Sequence, residues 1–250
     1  MTKRSAFVTG GSYGVGAATA LALAREGYTV AISATRRENL DATLKAIEAI
    51  GTQAIPVVLD LRVQASIERA FSEVISALGT LNVLVNNAGS NLRKRAADVA
   101  PAEWDAVIGA NLTGTFFLTR EFGRHLIGSD QPGSIVNIAS TLGLVGAAER
   151  STYGISKAGL IHMTRMLAVE WAEYGIRVNA IAPGRMDTPS PSRAARTTDP
   201  KYMDAMLRRI PLRRMATAEE VAAAVCYLAS PHAASITGQT LALDGGITAT

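Results

Sequence analysis

Ser5-Ala6-Phe7-Val8-Thr9-Gly10-Gly11-Ser12-Tyr13-Gly14-Val15-Gly16 passes from a short apolar run through four glycines into an Ala- and Leu-rich segment. The run at 5–9 has strand length, and the segment near 15–26 has helix length. Glycines at the join permit a tight turn and a close backbone approach. The helix start beyond them offers free N–H groups and partial positive charge to a phosphate. The spacing is G-x-x-x-G-x-G rather than the common dinucleotide pattern G-x-G-x-x-G. Alone, such a turn also occurs without a ligand. Closing the first strand of a βαβ unit, it predicts a nucleotide pyrophosphate site.

The same alternation continues along the chain. Ser5–Thr9, Thr29–Ser33, Ala54–Leu59, Val83–Asn86, Ser134–Ile138, Arg177–Ile181 and Thr240–Leu243 read as strands. Segments near 15–26, 38–50, 64–78, 101–127, 152–174 and 217–229 read as helices. Strands this far apart cannot hairpin, so they run parallel with crossovers, as a doubly wound α/β sheet of Rossmann type with helices on both faces. Seven strands are expected. Val83-Leu84-Val85 is continuously apolar, as a strand covered on both sides should be. With no internal repeat or boundary, 1–250 reads as one dinucleotide-binding and catalytic domain. The stretch 185–215, rich in Pro, Ser and Arg with a short helical piece near 201–209, breaks the rhythm and is expected to act as a substrate lid.

Composition narrows the function. A formal charge of +4 over 250 residues is too weak to argue for nucleic acid. No run reaches membrane-span length, and Thr2-Lys3-Arg4 leads into a strand without a signal-peptide core, so a cytoplasmic address is the default. The single cysteine, Cys226, lies in an apolar run and reads as a buried, inert thiol. His125, His162 and His232 are scattered, and no metal site is expected.

Tyr153 and Lys157 lie four apart in the helical segment 152–174, on one face. A nearby ammonium favours phenolate, and each pKa step of one below about 10 reflects roughly 1.4 kcal/mol. A tyrosine tuned this way can exchange a proton with a carbonyl or alcohol oxygen. By itself Tyr-x-x-x-Lys reads first as a pair on a solvated helix face, and the rest of the chain reverses that reading.

In order and spacing, Thr9-Gly10-x-x-x-Gly14-x-Gly16, Asn86-Asn87-Ala88-Gly89, Asn111, Ser140, Tyr153-x-x-x-Lys157 and Pro183-Gly184-x-x-x-Thr188 resemble the classical short-chain dehydrogenase/reductase family. The likeness runs through Leu243-Asp244-Gly245-Gly246. It implies that Gly10, Ser12, Tyr13, Gly14, Val15 and Gly16 wrap the pyrophosphate and that Asp60 and Leu61 flank the adenine. Asn87, Ala88 and Gly89 would line the floor under the ribose, with Pro183, Gly184, Met186 and Thr188 holding the nicotinamide. Tyr153 would be the general acid or base, and Lys157 would bind the ribose and lower the tyrosine pKa. Ser140 would orient the substrate oxygen, and Asn111 would hold a water linking Lys157 to solvent.

After the second strand, Ser33-Ala34-Thr35-Arg36-Arg37 carries no carboxylate to meet a ribose 2′-hydroxyl. Thr35, Arg36 and Arg37 suit a 2′-phosphate, so NADP(H) is the expected cofactor, with NAD(H) the alternative. Tyr13 stands where many NADP-preferring relatives carry a basic residue. Arg93-Lys94-Arg95 follows the Asn-Asn-Ala-Gly turn and, with Arg185, Arg193 and Arg196, reads either as a solvated basic loop or as a site for an anionic substrate. The pattern resembles sugar-acid dehydrogenases of the family, making Arg93 a candidate substrate residue beside Ser140 and Tyr153. The expected reaction interconverts a carbonyl and a secondary alcohol on a small polar molecule such as a sugar acid or polyol. The alternative is 3-oxoacyl-(acyl-carrier-protein) reductase. A silent nucleotide sensor would show damage at Ser140, Tyr153 or Lys157, and all three are intact. Trp104, Phe116, Phe117, Met163, Met166 and Trp171 on the two long helices read as core or as the pairing face of a homotetramer.

Overall fold

The computed structural model describes residues 4–186 and 200–249. Its strands are β1 (Ser5–Val8), β2 (Thr29–Ala34), β3 (Ala54–Val58), β4 (Val83–Asn86), β5 (Gly133–Ile138), β6 (Ile176–Pro183) and β7 (Thr240–Leu243). All pair in parallel as one sheet, in the order β3-β2-β1-β4-β5-β6-β7. Every expected strand is present, with ends within two residues of the sequence reading.

Period-2 alternation sorts the strand residues between two helical layers. Ala6, Val8, Val83, Val85 and Val136 face the layer of α1 (Gly14–Arg25), α2 (Asp41–Glu48) and α8 (Ala218–Ala229). Phe7, Leu84, Ile135 and Val178 face α3 (Gln64–Leu78), α5 (Gly114–Ser129) and α6 (Ser151–Glu170). Both sets are fully or almost fully buried, so the strands read as continuous apolar runs. Strand order reverses between β1 and β4, and the crevice beyond their carboxyl ends is where such sheets hold ligands.

Two helix expectations need correction. The reading of 101–127 as one helix fails: α4 (Pro101–Ile108) and α5 are separated by a π-helical turn, Gly109–Thr113. A Cβ on Gly114 would stand 1.8 Å from the Leu61 carbonyl oxygen, so backbone meets backbone where α5 begins. Extra residues in a helix commonly mark functional positions, and this turn carries Asn111. The segment 152–174 also ends early, α6 giving way to a 3₁₀ turn at Ala172–Tyr174. Of the expected lid, residues 187–199, with Thr188, Arg193 and Arg196, lie outside the described residues; α7 (Pro200–Leu207) matches the short helical piece.

A buried polar chain crosses the layer beneath the crevice. Asn86 Nδ2 donates to Thr119 Oγ1 and Asn137 Oδ1, both at 2.8 Å, and Asn137 Nδ2 donates to Thr164 Oγ1 at 2.8 Å. Neighbouring strands β4 and β5 are thereby pinned to α5 and α6. Cys226 is partly buried, and burial pushes its thiol up to about 11, which suits an inert residue. No helix among the described residues is long and apolar enough to cross a membrane.

Candidate active site

The glycine turn is held by partners the sequence did not announce. Gly10 and Gly14 have φ of 68° and 58°, the left-handed region that favours glycine. A Cβ on Gly16 would lie 2.1 Å from the Gly10 carbonyl oxygen. Tyr13 precedes α1 with no side-chain cap, and the first turn holds no acidic residue, so the N–H groups there suit an anion. Thr9 Oγ1 accepts from the N–H groups of Asn87 and Ala88, each at 3.0 Å. Asn87 Nδ2 donates to the Thr9 and Gly10 carbonyls at 2.9 Å, so both its amide hydrogens fix the loop. From α2, the buried Thr43 hydroxyl donates to the Gly11 carbonyl at 2.8 Å.

The catalytic candidates converge beyond β4 and β5. Lys157 is 4% exposed, its Nζ donates to the Ile138 carbonyl at 2.7 Å, and it lies 5.8 Å from the centre of the Tyr153 ring. Burial lowers its pKa to about 8. A Cβ on Gly89 would stand 2.9 Å from Asn111 Oδ1 and 3.8 Å from Lys157 Nζ, so that glycine admits both side chains. Ser140 Oγ accepts from the Leu142 N–H at 3.2 Å, which leaves its own hydrogen for another acceptor. Asn111 is fully buried. Its Oδ1 accepts from the Ser90 N–H at 2.7 Å, and its Nδ2 donates to the Ser90 carbonyl at 2.9 Å and to Ser156 Oγ at 3.0 Å. Ser156 Oγ donates in turn to the Tyr153 carbonyl at 2.7 Å. Both hydrogens of the Asn111 amide are thus used in bracing the β4 loop against α6, and a water there would have the second acceptor position of Oδ1 to meet.

Around the crevice several of the expected cofactor residues also bond or pack within the protein. Asp60 Oδ1 and Oδ2 accept from Arg62 at 3.0 and 2.7 Å, and that guanidinium holds the Asp60 carboxyl below the usual carboxylate range. The Leu61 side chain packs into the core between sheet and α5. Met186 is buried in the core cluster and forms an isolated parallel bridge with Ala216. Pro183 and Gly184 close β6, where a Cβ on Gly184 would stand 2.8 Å from Asp244 Cα. Thr35, Arg36 and Arg37 are exposed after β2. Arg37 Nη1 bonds Asp41 Oδ1 at 2.7 Å, an i,i+4 pair that the spacing could have revealed; no ion pair takes Arg36 among the described residues.

The basic loop is neutralised in part. Arg93 Nε donates to Glu149 Oε2 at 2.5 Å, and Lys94 Nζ to Glu103 Oε2 at 2.8 Å. Arg93, the candidate substrate residue, thus already holds a carboxylate of its own chain, with both side chains partly exposed.

Comparison with known proteins agrees with this geometry. The sequence model of the family described as enoyl-(acyl carrier protein) reductase matches residues 10–248. A 3-oxoacyl-(acyl-carrier-protein) reductase from Thermotoga maritima is 38% identical over 96% of each chain. A structure described provisionally as a short-chain alcohol dehydrogenase from Sinorhizobium meliloti 1021 superposes with a TM-score of 0.94 at 38% identity, covering 100% of this chain and 98% of that one. Another, described provisionally as a 2-deoxy-D-gluconate 3-dehydrogenase from Agrobacterium tumefaciens with bound NADP, has a TM-score of 0.91 at 36% identity, covering 99% and 97%. With its parallel seven-stranded sheet, its glycine turn and its Tyr-x-x-x-Lys helix, the chain belongs to the classical short-chain dehydrogenase/reductase family of oxidoreductases.

Proposed function

We propose that this protein interconverts a carbonyl and a secondary alcohol on a small polar substrate, such as a sugar acid or polyol, with NADP(H). The observation that carries the reading is a buried lysine one helical turn from a tyrosine, packed beside Gly89 in the loop that follows β4. The residues fit a dinucleotide: the start of α1 has no side-chain cap and no acidic residue in its first turn, and Gly10 and Gly14 take the left-handed backbone of the tight turn that leads into it. Gly10, Ser12, Tyr13, Gly14, Val15 and Gly16 would hold the pyrophosphate, with Thr35 and Arg36 on the 2′-phosphate. Asp60 and the Leu61 backbone would border the adenine, Ala88 and Gly89 the ribose, Pro183 and Gly184 the nicotinamide. When bound, the cofactor supplies or accepts the hydride.

The chain's own groups handle the proton and the oxygen. Tyr153 gives its hydroxyl proton to the carbonyl oxygen in reduction and takes one back in oxidation. Lys157, protonated below about pH 8, supplies positive charge beside that phenol; one of its hydrogens is spent on Ile138, leaving two for a ribose. Ser140, accepting from Leu142, donates to the substrate oxygen and orients it. Asn111, through Ser90 and Ser156, keeps the Tyr153 turn seated.

The relative from Thermotoga maritima, at 38% identity, supports a second reading as a 3-oxoacyl-(acyl-carrier-protein) reductase. NADPH-oxidation assays against ketones, keto sugar acids and acetoacetyl thioesters separate the two. Flat traces throughout, with cofactor still bound, would overturn the enzymatic reading. Equal kcat/KM with NADH would overturn the NADP preference. Association as a tetramer is proposed through α5 and α6, where Phe116 and Met166 line an apolar groove of about 500 Å³ and Val169 is exposed on the same pair of helices. Trp171 instead packs in the core, and Met163 packs in the core at the floor of the groove. Light scattering giving a monomer mass would refute the tetramer.

A further inference from the structure

Two walls flank the mouth of the crevice: the loop after β4, residues 90–95, and the turn that enters α6. Their inner ends are joined through the interior by Ser90, Asn111 and Ser156. Their outer ends are joined by Glu149. This residue has φ of 61°, a left-handed backbone that a non-glycine residue adopts only at a cost and that clusters at functional sites. Its carbonyl accepts from the Lys94 N–H at 3.0 Å, and its carboxylate accepts from Arg93 Nε at 2.5 Å. The next residue, Arg150, donates from Nη1 to Asn91 Oδ1 at 2.8 Å. The Gly154 N–H then donates to the Arg150 carbonyl at 2.7 Å, so the turn runs directly into the helical turn bearing Tyr153. Glycine would take the same φ without strain, so what glutamate adds at this position is its carboxylate.

We infer that Glu149 is a positioning residue: its ion pair with Arg93 latches the outer ends of the two walls and sets where a substrate carbonyl lies relative to the Tyr153 hydroxyl. The inference rests on the role proposed above for Tyr153. Arg93 then serves as the other half of the latch and not as the partner of a substrate anion.

The test is steady-state kinetics with NADPH on the full chain, using neutral D-fructose and anionic 5-keto-D-gluconate as probes. Glu149→Gly accepts the backbone and removes the carboxylate; Arg93→Met keeps the stem and removes the guanidinium. Each variant should lower kcat/KM about three- to tenfold on both probes, chiefly through KM. The double variant should be no worse than either single one, because a single interaction is lost. NADPH affinity should stay within about twofold. Three results overturn the latch: losses that multiply in the double variant, an Arg93→Met loss confined to 5-keto-D-gluconate, or cofactor affinity and melting temperature falling together with turnover. A wild-type protein inert toward both probes is a different failure. It removes the oxidoreductase reading on these substrates before any variant is compared, and the latch with it.

Discussion

Lys157 Nζ donates to the Ile138 carbonyl across 2.7 Å, tying α6 to the end of β5 two residues before Ser140. The ammonium has no carboxylate partner among the described residues. Burial therefore acts unopposed and lowers its pKa from 10.5 to about 8. The fold holds this proton less tightly than the unfolded chain does, so stability rises with pH between about 8 and 10.5 and carries the full cost below 8. Replacing Lys157 with Met should abolish turnover and yet stabilise the cofactor-free protein at pH 7, by on the order of 2–4 kcal/mol. That gain should shrink through pH 8 and vanish by about 10.5. Thermal melts of both proteins across this range check the sign, and a variant less stable than wild type at pH 7 contradicts it.

Carbonyl reduction should also fall as Lys157 loses its proton. We expect kcat/KM to decline above about pH 8 as the charge beside the phenol disappears. Tyr153→Phe should remove turnover by at least about a thousandfold, combining a lost proton donor with a lost hydrogen bond to the substrate oxygen. Its NADPH affinity, read by fluorescence titration, should stay within about threefold. A variant with near-normal kcat removes Tyr153 from the role.

Arg36 and Arg37 are adjacent but differ in what they already hold. Arg37 is paired with Asp41 at 2.7 Å. Arg36→Ala should therefore weaken NADPH binding about tenfold, the scale of one charge-assisted hydrogen bond, while Arg37→Ala costs less than about threefold. Neither should change NADH affinity appreciably. Isothermal titration of both variants with both cofactors decides this, and equal losses for NADPH and NADH would reject a 2′-phosphate contact.

Thr43 donates to the Gly11 carbonyl at 2.8 Å and is buried. Thr43→Val keeps the shape and removes the donor, at a cost of about 1–3 kcal/mol. The glycine turn should then loosen, raising the NADPH dissociation constant several-fold with kcat at saturating cofactor little changed. Thr43→Ser should behave like wild type. Failure of serine to rescue would mean that the methyl group, not the hydroxyl, matters.

Strand positions were legible because each central strand is a continuous apolar run between turn residues, and Phe7 against Ala6 and Val8 even sorts its faces. The candidate site was legible as a set of residues, since glycines, Asn87, Ser140, Tyr153 and Lys157 fall where parallel strands end. Their partners were not. Whether Arg93 faces a ligand or Glu149, 56 residues away, depends on a long-range contact that local spacing does not encode. Leu61 and Met186 were expected beside the cofactor from the family resemblance; that their apolar side chains also pack into the core depends on the same kind of long-range contact. Thr43 carried no signal at all; a threonine in an amphipathic helix reads as ordinary. The break within 101–127 was hidden because glycine and asparagine are tolerated inside a helical pattern and do not locate a bulge.

Successive residues of an α-helix are rotated by about 100° about its axis. The irregular turn at Gly109–Thr113 therefore fixes the phase of α5 relative to α4. Deleting one residue there would yield a smoother rod and swing Phe122 and Leu126 out of the interior, or else part Gly114 from Leu61. Efforts to harden this protein by idealising its helices should leave that segment at its present length, since its imperfection is what keeps two well-formed halves in register.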